Sequence, residues 1–241
     1  MSTSKKLLMA SSGVVGSSSS SDPHFSNVEL LLKFDGTSQS TTFTDSSSNN
    51  NTITANYGYG SPNAYISHIV SKFSGESTGY FSSSSYGRIT FPDITISSGT
   101  DFTIETWFYT GSPSSDFALC SYYPTTTGNH QMLRFNHSGA NKILSYNQGH
   151  MFNFTRSTSL SSNTWYHVAM TRENNICKFF MDGVLESTNS SFSNAVLINT
   201  IGAGYGNGNS FNGYLDEFRI TSGVARYTSN FTPPTAGFPT S

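Results

Sequence analysis

The chain has 241 residues, only 11% of them charged, with 12 basic against 14 acidic side chains and a formal net charge of −2. That balance excludes the basic excess of a nucleic-acid-binding surface, and no run approaches the roughly 18 apolar residues of a transmembrane helix. The length suits one all-β sandwich, a class that commonly reaches roughly 200–250 residues as a single unit.

Residues 1–21 differ from the rest. Lys5 and Lys6 precede the four apolar residues Leu7, Leu8, Met9 and Ala10, and a serine run follows. That apolar run is shorter than the roughly 7–15 residues of a signal-peptide core, and the serines have linker composition. Such an arm gains order by docking on a partner. Lys5, Lys6, Leu7, Leu8 and Met9 are therefore candidate assembly contacts, and the folded domain is expected over residues 22–241.

The first expected strand is 28–34 (VELLLKF), turned by Asp35-Gly36. A Ser/Thr/Asn loop covers 37–51, a short strand 52–55, and a Gly/Pro/Tyr loop 56–63 (NYGYGSPN). Phe73 and Phe81 bracket GESTGY, and strands are expected at 86–91, 101–109, 117–122, 131–135, 142–146 and 151–154. Residues 101–109 (DFTIETWFY) are apolar on both faces, as a central strand between two packed layers would be.

Residues 163–186 (NTWYHVAMTRENNICKFFMDGVLE) carry the clearest pattern. Tyr166, Val168 and Met170 alternate with Trp165, His167 and Ala169 in a strand period. Glu173-Asn174-Asn175 is a polar turn, and 176–181 is a second strand. Asp182-Gly183 supplies the two positive-φ positions of a type I′ hairpin turn. A strand at 195–201, a glycine-rich loop at 202–210 (GAGYGNGNS) and a closing strand at 213–221 (GYLDEFRIT) follow, and 223–227 is expected to form a single helical turn. The glycine-rich loop lacks the Lys-Ser/Thr of a phosphate cradle. Short strands separated by turn clusters, without helical periodicity, indicate a sandwich or jelly roll.

The sequence W-Y-H-V-A-M-T-R, a short turn, then K-F-F-M-D-G-V-L resembles the central signature of laminin-G-like, concanavalin-A-like jelly rolls. DFTIETWFY and GYLDEFRIT are similar to the strands that precede and close that signature, and GVARYTSNFTPPT resembles an ending found in bacteriophage and marine-virus members. The resemblance spans residues 28–239. It implies an all-β, two-sheet antiparallel jelly-roll sandwich, here preceded by an extended N-terminal arm, and a structural role for His167.

Cys120 and Cys177 both fall on expected strands. A bridge across the sandwich and two small buried side chains are both open readings, the second favoured by the burial typical of free cysteine. Relatives of this fold include glycoside hydrolases, which need two carboxylates about 5–9.5 Å apart. No Glu-x-Asp or Asp-x-Glu occurs, and the adjacent Asp216 and Glu217 are expected to point to opposite faces of their strand. No G-x-S-x-G elbow is present, and no metal-ligand spacing links His130, His137 and His150.

Laminin-G-like domains often hold Ca²⁺ at the sandwich rim, and by that resemblance Asp35, Asp45 and Asp216 are the candidate ligands, with loop carbonyls completing the six to eight oxygens calcium takes. Asp35 and Asp45 equally suit turn formation. Tyr57, Tyr59 and Tyr205, with Asn56, Asn63, Asn207 and Asn209 nearby, offer rings and amides suited to sugar. These tyrosines also suit core capping or a subunit contact. The expectation is a non-enzymatic virion structural protein, a capsid decoration or fibre-type component. It would be anchored by its arm to other virion proteins or to copies of itself, with its loops outward. The alternative is an extracellular adhesin for host-surface glycans, supported by Ca²⁺.

Overall fold

The computed structural model describes residues 21–58, 61–123, 131–204 and 209–241. These form two facing antiparallel sheets. Sheet I runs in the order β14 (Val184–Asn189), β13 (Ile176–Met181), β12 (Thr164–Glu173), β7 (Phe102–Thr110), β16 (Gly213–Ser222), β5 (Thr78–Phe81) and β4 (Ala64–Ser67). Its remaining strand, β1 (Val28–Leu32), pairs with β16 beside β5. Sheet II runs β11 (His150–Thr155), β10 (Lys142–Tyr146), β9 (Gln131–Phe135), β8 (Phe117–Ser121), β15 (Val196–Ile201), β6 (Arg88–Ile96), β2 (Thr54–Gly58) and β3 (Ser61–Pro62). Leu30, Phe102, Phe108, Phe117, Phe179 and Phe218 are buried between them. Both cysteines are buried and free.

The hairpin read from 163–186 is present in register. Asp182 and Gly183 have φ of 48° and 77°, and Met181 pairs with Val184. Asn174 and Asn175, at φ 50° and 65°, make the preceding turn, so β12 extends to Glu173. Other expectations are corrected. Residues 223–227 form bends rather than a helical turn; among the described residues helical geometry is confined to the 3₁₀ turns Phe25–Asn27 and Ser83–Ser85. The chain at 223–227 instead spends its polar groups on sheet I, where Thr103 Oγ donates to the Val224 carbonyl and accepts from the Arg226 N–H. Residues 54–58 are a strand paired with β6 and β3, which takes Tyr57 out of the expected loop. The short strands β4 and β5 appear where no strand was expected.

The alternation of β12 has a structural cause on both faces. Tyr166, Val168 and Met170 face the core. His167 and Ala169 face outward, yet are buried, because residues 223–241 cross the outer face of sheet I as a strap. Thr171 Oγ donates to the Tyr227 carbonyl, Lys178 to the Thr228 carbonyl, and the Phe231 N–H to the Gly183 carbonyl. A Cβ on Gly183 would lie 1.9 Å from that Phe231 carbonyl oxygen, so the hairpin turn must be glycine for the strap to seat.

Beneath the strap lies a buried ionic network. Arg219 donates two hydrogen bonds to Glu105, at 2.9 and 2.7 Å, and a third to Asp22 at 3.1 Å; Arg226 also clasps Asp22. Tyr227 donates to Glu105 Oε2 at 2.8 Å, and His167 Nε2 lies 3.3 Å from it. Burial alone raises the Glu105 pKa, but Arg219 and His167 outweigh it and bring the carboxyl from 4.5 to about 2.

A carboxyl with a depressed folded pKa stabilises the fold above its unfolded pKa, and that stability is lost as pH falls through the window. The Glu105 contribution is therefore complete above pH 4.5 and disappears between 4.5 and about 2. Glu105→Gln is expected to cost about 3 kcal/mol at pH 7, since Arg219 loses its closest counter-charge and keeps only the Asp22 contact at 3.1 Å. Urea unfolding at pH 7 and pH 3 checks this: the difference between parent and variant should shrink sharply at the lower pH.

Candidate functional site

The closing strand does not keep a simple two-residue period. Its pairing with β7 slips between Asp216 and Arg219, and Glu217 takes a left-handed φ of 51°. One extra residue on β16 makes a β-bulge, which bends a strand and re-aims its side chains. Asp216 and Glu217 therefore share the outer face, against the expectation of opposite faces. Glu76, from the loop before β5, joins them, and one carboxylate oxygen from each lies within 4.8 Å of the others.

This acidic cluster is short of positive charge. Lys33 lies 3.3 Å from Glu217 Oε1, while both Asp216 oxygens, Glu217 Oε1 and Glu76 Oε2 are buried without a hydrogen-bond partner among the described residues. Burial, and then the neighbouring Glu217, Glu76 and Asp35 charges, raise Asp216 to about 9. Burial likewise raises Glu217 to about 7, against the Phe238 N–H and Lys33, which favour its ionised form. The strap closes over the group: the Phe238 N–H donates to Glu217 Oε2 at 2.9 Å, and Gly237 packs directly on it.

The three aspartates expected to bind calcium are not brought together. Asp216 is in the cluster, and Asp35 lines an open cleft of about 440 Å³ at its edge with Gly36, His68, Gly75 and Glu76. Asp45 is not part of it. Its buried carboxylate accepts from Leu31 N, Ser47 N, Ser47 Oγ, Asn51 N and Asn51 Nδ2, which pins the first long loop to β1. The donor set fits a hard divalent cation. Oxygens on opposite sides of a Ca²⁺ ion are about 5 Å apart, given metal–oxygen distances near 2.4 Å. Sequence reasoning missed Glu76 and the orientation of Glu217, because neither a loop approach nor a glutamate in the left-handed region leaves a mark on residue order.

A second feature lies at the loop end of the sandwich. Gly202, the 82–87 turn and the chain around Asn63 converge there: Ser82 N donates to the Asn63 carbonyl, and a Cβ on Gly202 would meet the Gly87 carbonyl at 2.9 Å. Beside them opens a cleft of about 340 Å³ lined by Tyr86, Ser112, Asp116, Asn209 and Asn212 among others. Tyr86 is 38% exposed and held at a left-handed φ of 57° at the end of the 3₁₀ turn. Asp116 is fixed by a bidentate pair with Arg134, and Asn136 Nδ2 donates to the Pro113 and Ser115 carbonyls, which holds the opposite wall. The sequence pointed to this loop cluster through Asn209 and its neighbours but not to Tyr86. Tyr59, Tyr205 and Asn207 lie outside the described residues, as do Lys5, Lys6, Leu7, Leu8 and Met9.

Two facing antiparallel sheets with a bulged closing strand define a lectin-type jelly roll. Residues 81–226, more than half of the chain, match the laminin-G-type family described as the concanavalin A-like lectin/glucanases superfamily, and the chain belongs to that superfamily. No curated protein matches the chain. Among solved structures, domain 4 of AbnA, an extracellular arabinanase from Geobacillus stearothermophilus in complex with arabinotriose, is similar at 18% identity and a TM-score of 0.59, over 82% of this chain and 93% of its own. The binding domain of botulinum neurotoxin serotype D is similar at 14% identity and a TM-score of 0.56, over 83% of this chain and 49% of its own. The receptor-binding domain of mosaic serotype C/D is similar at 15% identity and a TM-score of 0.55, over 82% of this chain and 48% of its own. The chain thus spans about half of each neurotoxin domain. At these identities the likeness establishes the fold.

Gly237 tests how tightly the strap seals the cluster. A Cβ there would lie 2.8 Å from Glu217 Oε1, 2.9 Å from Glu76 Oε1 and 2.9 Å from Lys33 Nζ. Because all three are the ends of flexible side chains that can swing aside, Gly237→Ala is expected to cost no more than about 1 kcal/mol, read as a small drop in urea midpoint with an unchanged slope; a larger loss would show that the strap holds these groups rigidly.

Proposed function

We propose that the chain is a non-enzymatic carbohydrate-binding module that holds saccharide in the loop-end cleft. The observation that carries this reading is the cleft itself: one exposed tyrosine ring set among serine hydroxyls and asparagine amides on a braced wall. A flat ring with a few convergent polar groups suits a sugar, which offers an apolar face and a hydroxyl edge. The saccharide-bound arabinanase domain of the same fold supports a ligand of this class. Catalysis is disfavoured because the clustered Asp216 and Glu217 are fully buried under the strap, where no glycosidic bond could reach them.

In this reading Asp216, Glu217 and Glu76 hold a Ca²⁺ ion, with Asp35 at the mouth. Bound calcium would supply positive charge beyond that of Lys33 and Lys72, and Glu217 fastens the strap to β16 through the Phe238 N–H. Glycan-array binding of the full chain should fall at least tenfold with Tyr86→Ala and keep its specificity with Tyr86→Phe; equal binding by the alanine variant would sink the cleft. In the same preparations, millimolar CaCl₂ should raise the melting temperature by roughly 3–6 °C over an EDTA control, and Asp216→Asn should abolish that rise.

The second reading is a virion structural component, a capsid decoration or fibre-type protein. Its support is the apolar-basic arm of residues 1–21 and the phage-like ending of the sequence. Sedimentation of the full chain beside one starting at Asp22 separates the two. An arm-dependent assembly favours the virion reading, and two identical monomers favour the module alone.

A further inference from the structure

Five aromatic side chains stand side by side across the outer face of sheet I, one from each of five neighbouring strands. Tyr65 on β4 is opposite Tyr80 on β5, Tyr80 opposite Tyr214 on β16, Tyr214 opposite Tyr109 on β7, and Tyr109 opposite Trp165 on β12. Successive ring centroids are 4.9, 5.1, 5.8 and 5.5 Å apart. With strands about 4.8 Å apart, the row is about 19 Å long. All five rings are half-buried, and the strap that seals the rest of this face leaves them uncovered.

The chemistry of the row narrows its occupant. No hydrogen bond among the described residues engages the hydroxyls of Tyr65, Tyr80, Tyr109 or Tyr214, so each ring presents a free polar tip. The residues next along the strand ends are Asn63, Ser82, Asn212, Gly111 and Asn163, all uncharged. No aliphatic side chain interrupts the row. Five half-buried rings expose roughly 300 Å² together, well below the ~800 Å² per partner of a standard protein interface. A one-ring-wide strip is too narrow for a protein face. It suits a chain molecule whose units repeat at about one ring per strand and offer both apolar faces and hydroxyls.

We propose that this row is a second sugar-binding surface, which holds an extended, neutral polysaccharide running across the strands of sheet I. The proposal rests on the carbohydrate-binding reading above and deepens it by naming the ligand class as polymer. The row passes the rim of the loop-end cleft, since Asn212 and Thr110 line that cleft and lie within two residues of Tyr214 and Tyr109. A polymer on the row can therefore lead one end or branch into the cleft, while a short saccharide fills the cleft alone.

Affinity electrophoresis and pull-down of the full chain on soluble β-glucan, xylan, mannan and arabinan, beside their tri- to hexasaccharides, test the idea. The Tyr80→Ala/Tyr214→Ala variant should lose at least tenfold in polymer binding and keep short-saccharide binding, while Tyr86→Ala should weaken the short saccharides first. Tyr80→Phe/Tyr214→Phe keeps both rings and guards against a folding defect; it should retain most polymer binding. Trp165 gives a second readout: polymer should shift the emission of the parent chain and of Trp107→Phe, but not of Trp165→Phe. Polymer binding unchanged in the folded alanine variant overturns the platform and leaves the cleft reading intact. Failure of the parent chain to bind any saccharide overturns both.

Discussion

The arrangement of the outer face depends on one extra residue in the closing strand. Glu217 in the left-handed region is an unfavourable conformation for a residue with a Cβ, sparsely populated outside glycine, asparagine and aspartate. It persists because its surroundings hold it from three sides. The Phe238 N–H binds one carboxylate oxygen, Lys33 faces the other, and β1, β5 and β7 fix the strand on both edges. Without the bulge, Asp216 and Glu217 would point to opposite faces, one of them into a core of phenylalanines. With it, the core side keeps Leu215 and Phe218 while both carboxylates leave it.

The strap and the bulge are parts of one device. Residues 223–241 lie on a sheet face that carries Glu105, His167, Arg219 and Asp216, groups that would be solvated were the strap absent. Covering them demands partners for each. Glu105 has them in Arg219 and Tyr227, and its pKa falls. Asp216 has no side-chain hydrogen-bond partner among the described residues and only the more distant Lys72 charge, and its pKa rises. Two carboxyl groups on one sheet face, under one strap, are thus driven in opposite directions by whether a cation hydrogen-bonds them directly. That contrast is what the proposed calcium site rests on: arginine answers the first charge, and a bound cation would answer the second.

Much of the scaffold was legible in residue order, and the limits are instructive. The hairpin at 163–186 was readable because its turns need positive φ and its sequence supplies Asn-Asn and Asp-Gly at those points. The sheet II strands β6, β8, β9, β10, β11 and β15 were readable from their apolar runs, but β2 ran past its expected end and β3 lay in an expected loop. β4 and β5 were not, since AYIS and TGYF are four residues each and sit among turn formers. Residues 223–227 resembled a helical turn locally, but their polar groups found better partners on β7. Of the candidate residues, Asp216 was named from residue order and lies in the acidic cluster, while the bulge that re-aims Glu217, the approach of Glu76 and the placement of Tyr86 all depend on tertiary contacts. The aromatic row is the extreme case. Trp165 showed only as lying on the face opposite Tyr166, and Tyr109 as part of a strand apolar on both faces; a row exists only once the register of five strands is known.

That register also explains why the row can serve as a rigid platform. Each ring is spaced by backbone hydrogen bonds between strands, not by side-chain packing alone, so the spacing survives without a ligand. The buried ionic network on one side and the core on the other hold β7, β12 and β16 against twisting apart. A ligand that settles on such a row orders little of the protein, and the entropic cost that weakens flexible binding loops is largely absent. The low charge of the chain acts in the same direction, since a neutral strip sheds its water more cheaply than a charged one. On the proposed reading, affinity for a polymer would grow ring by ring along the strip, whereas affinity in the cleft would be fixed by the few groups around Tyr86.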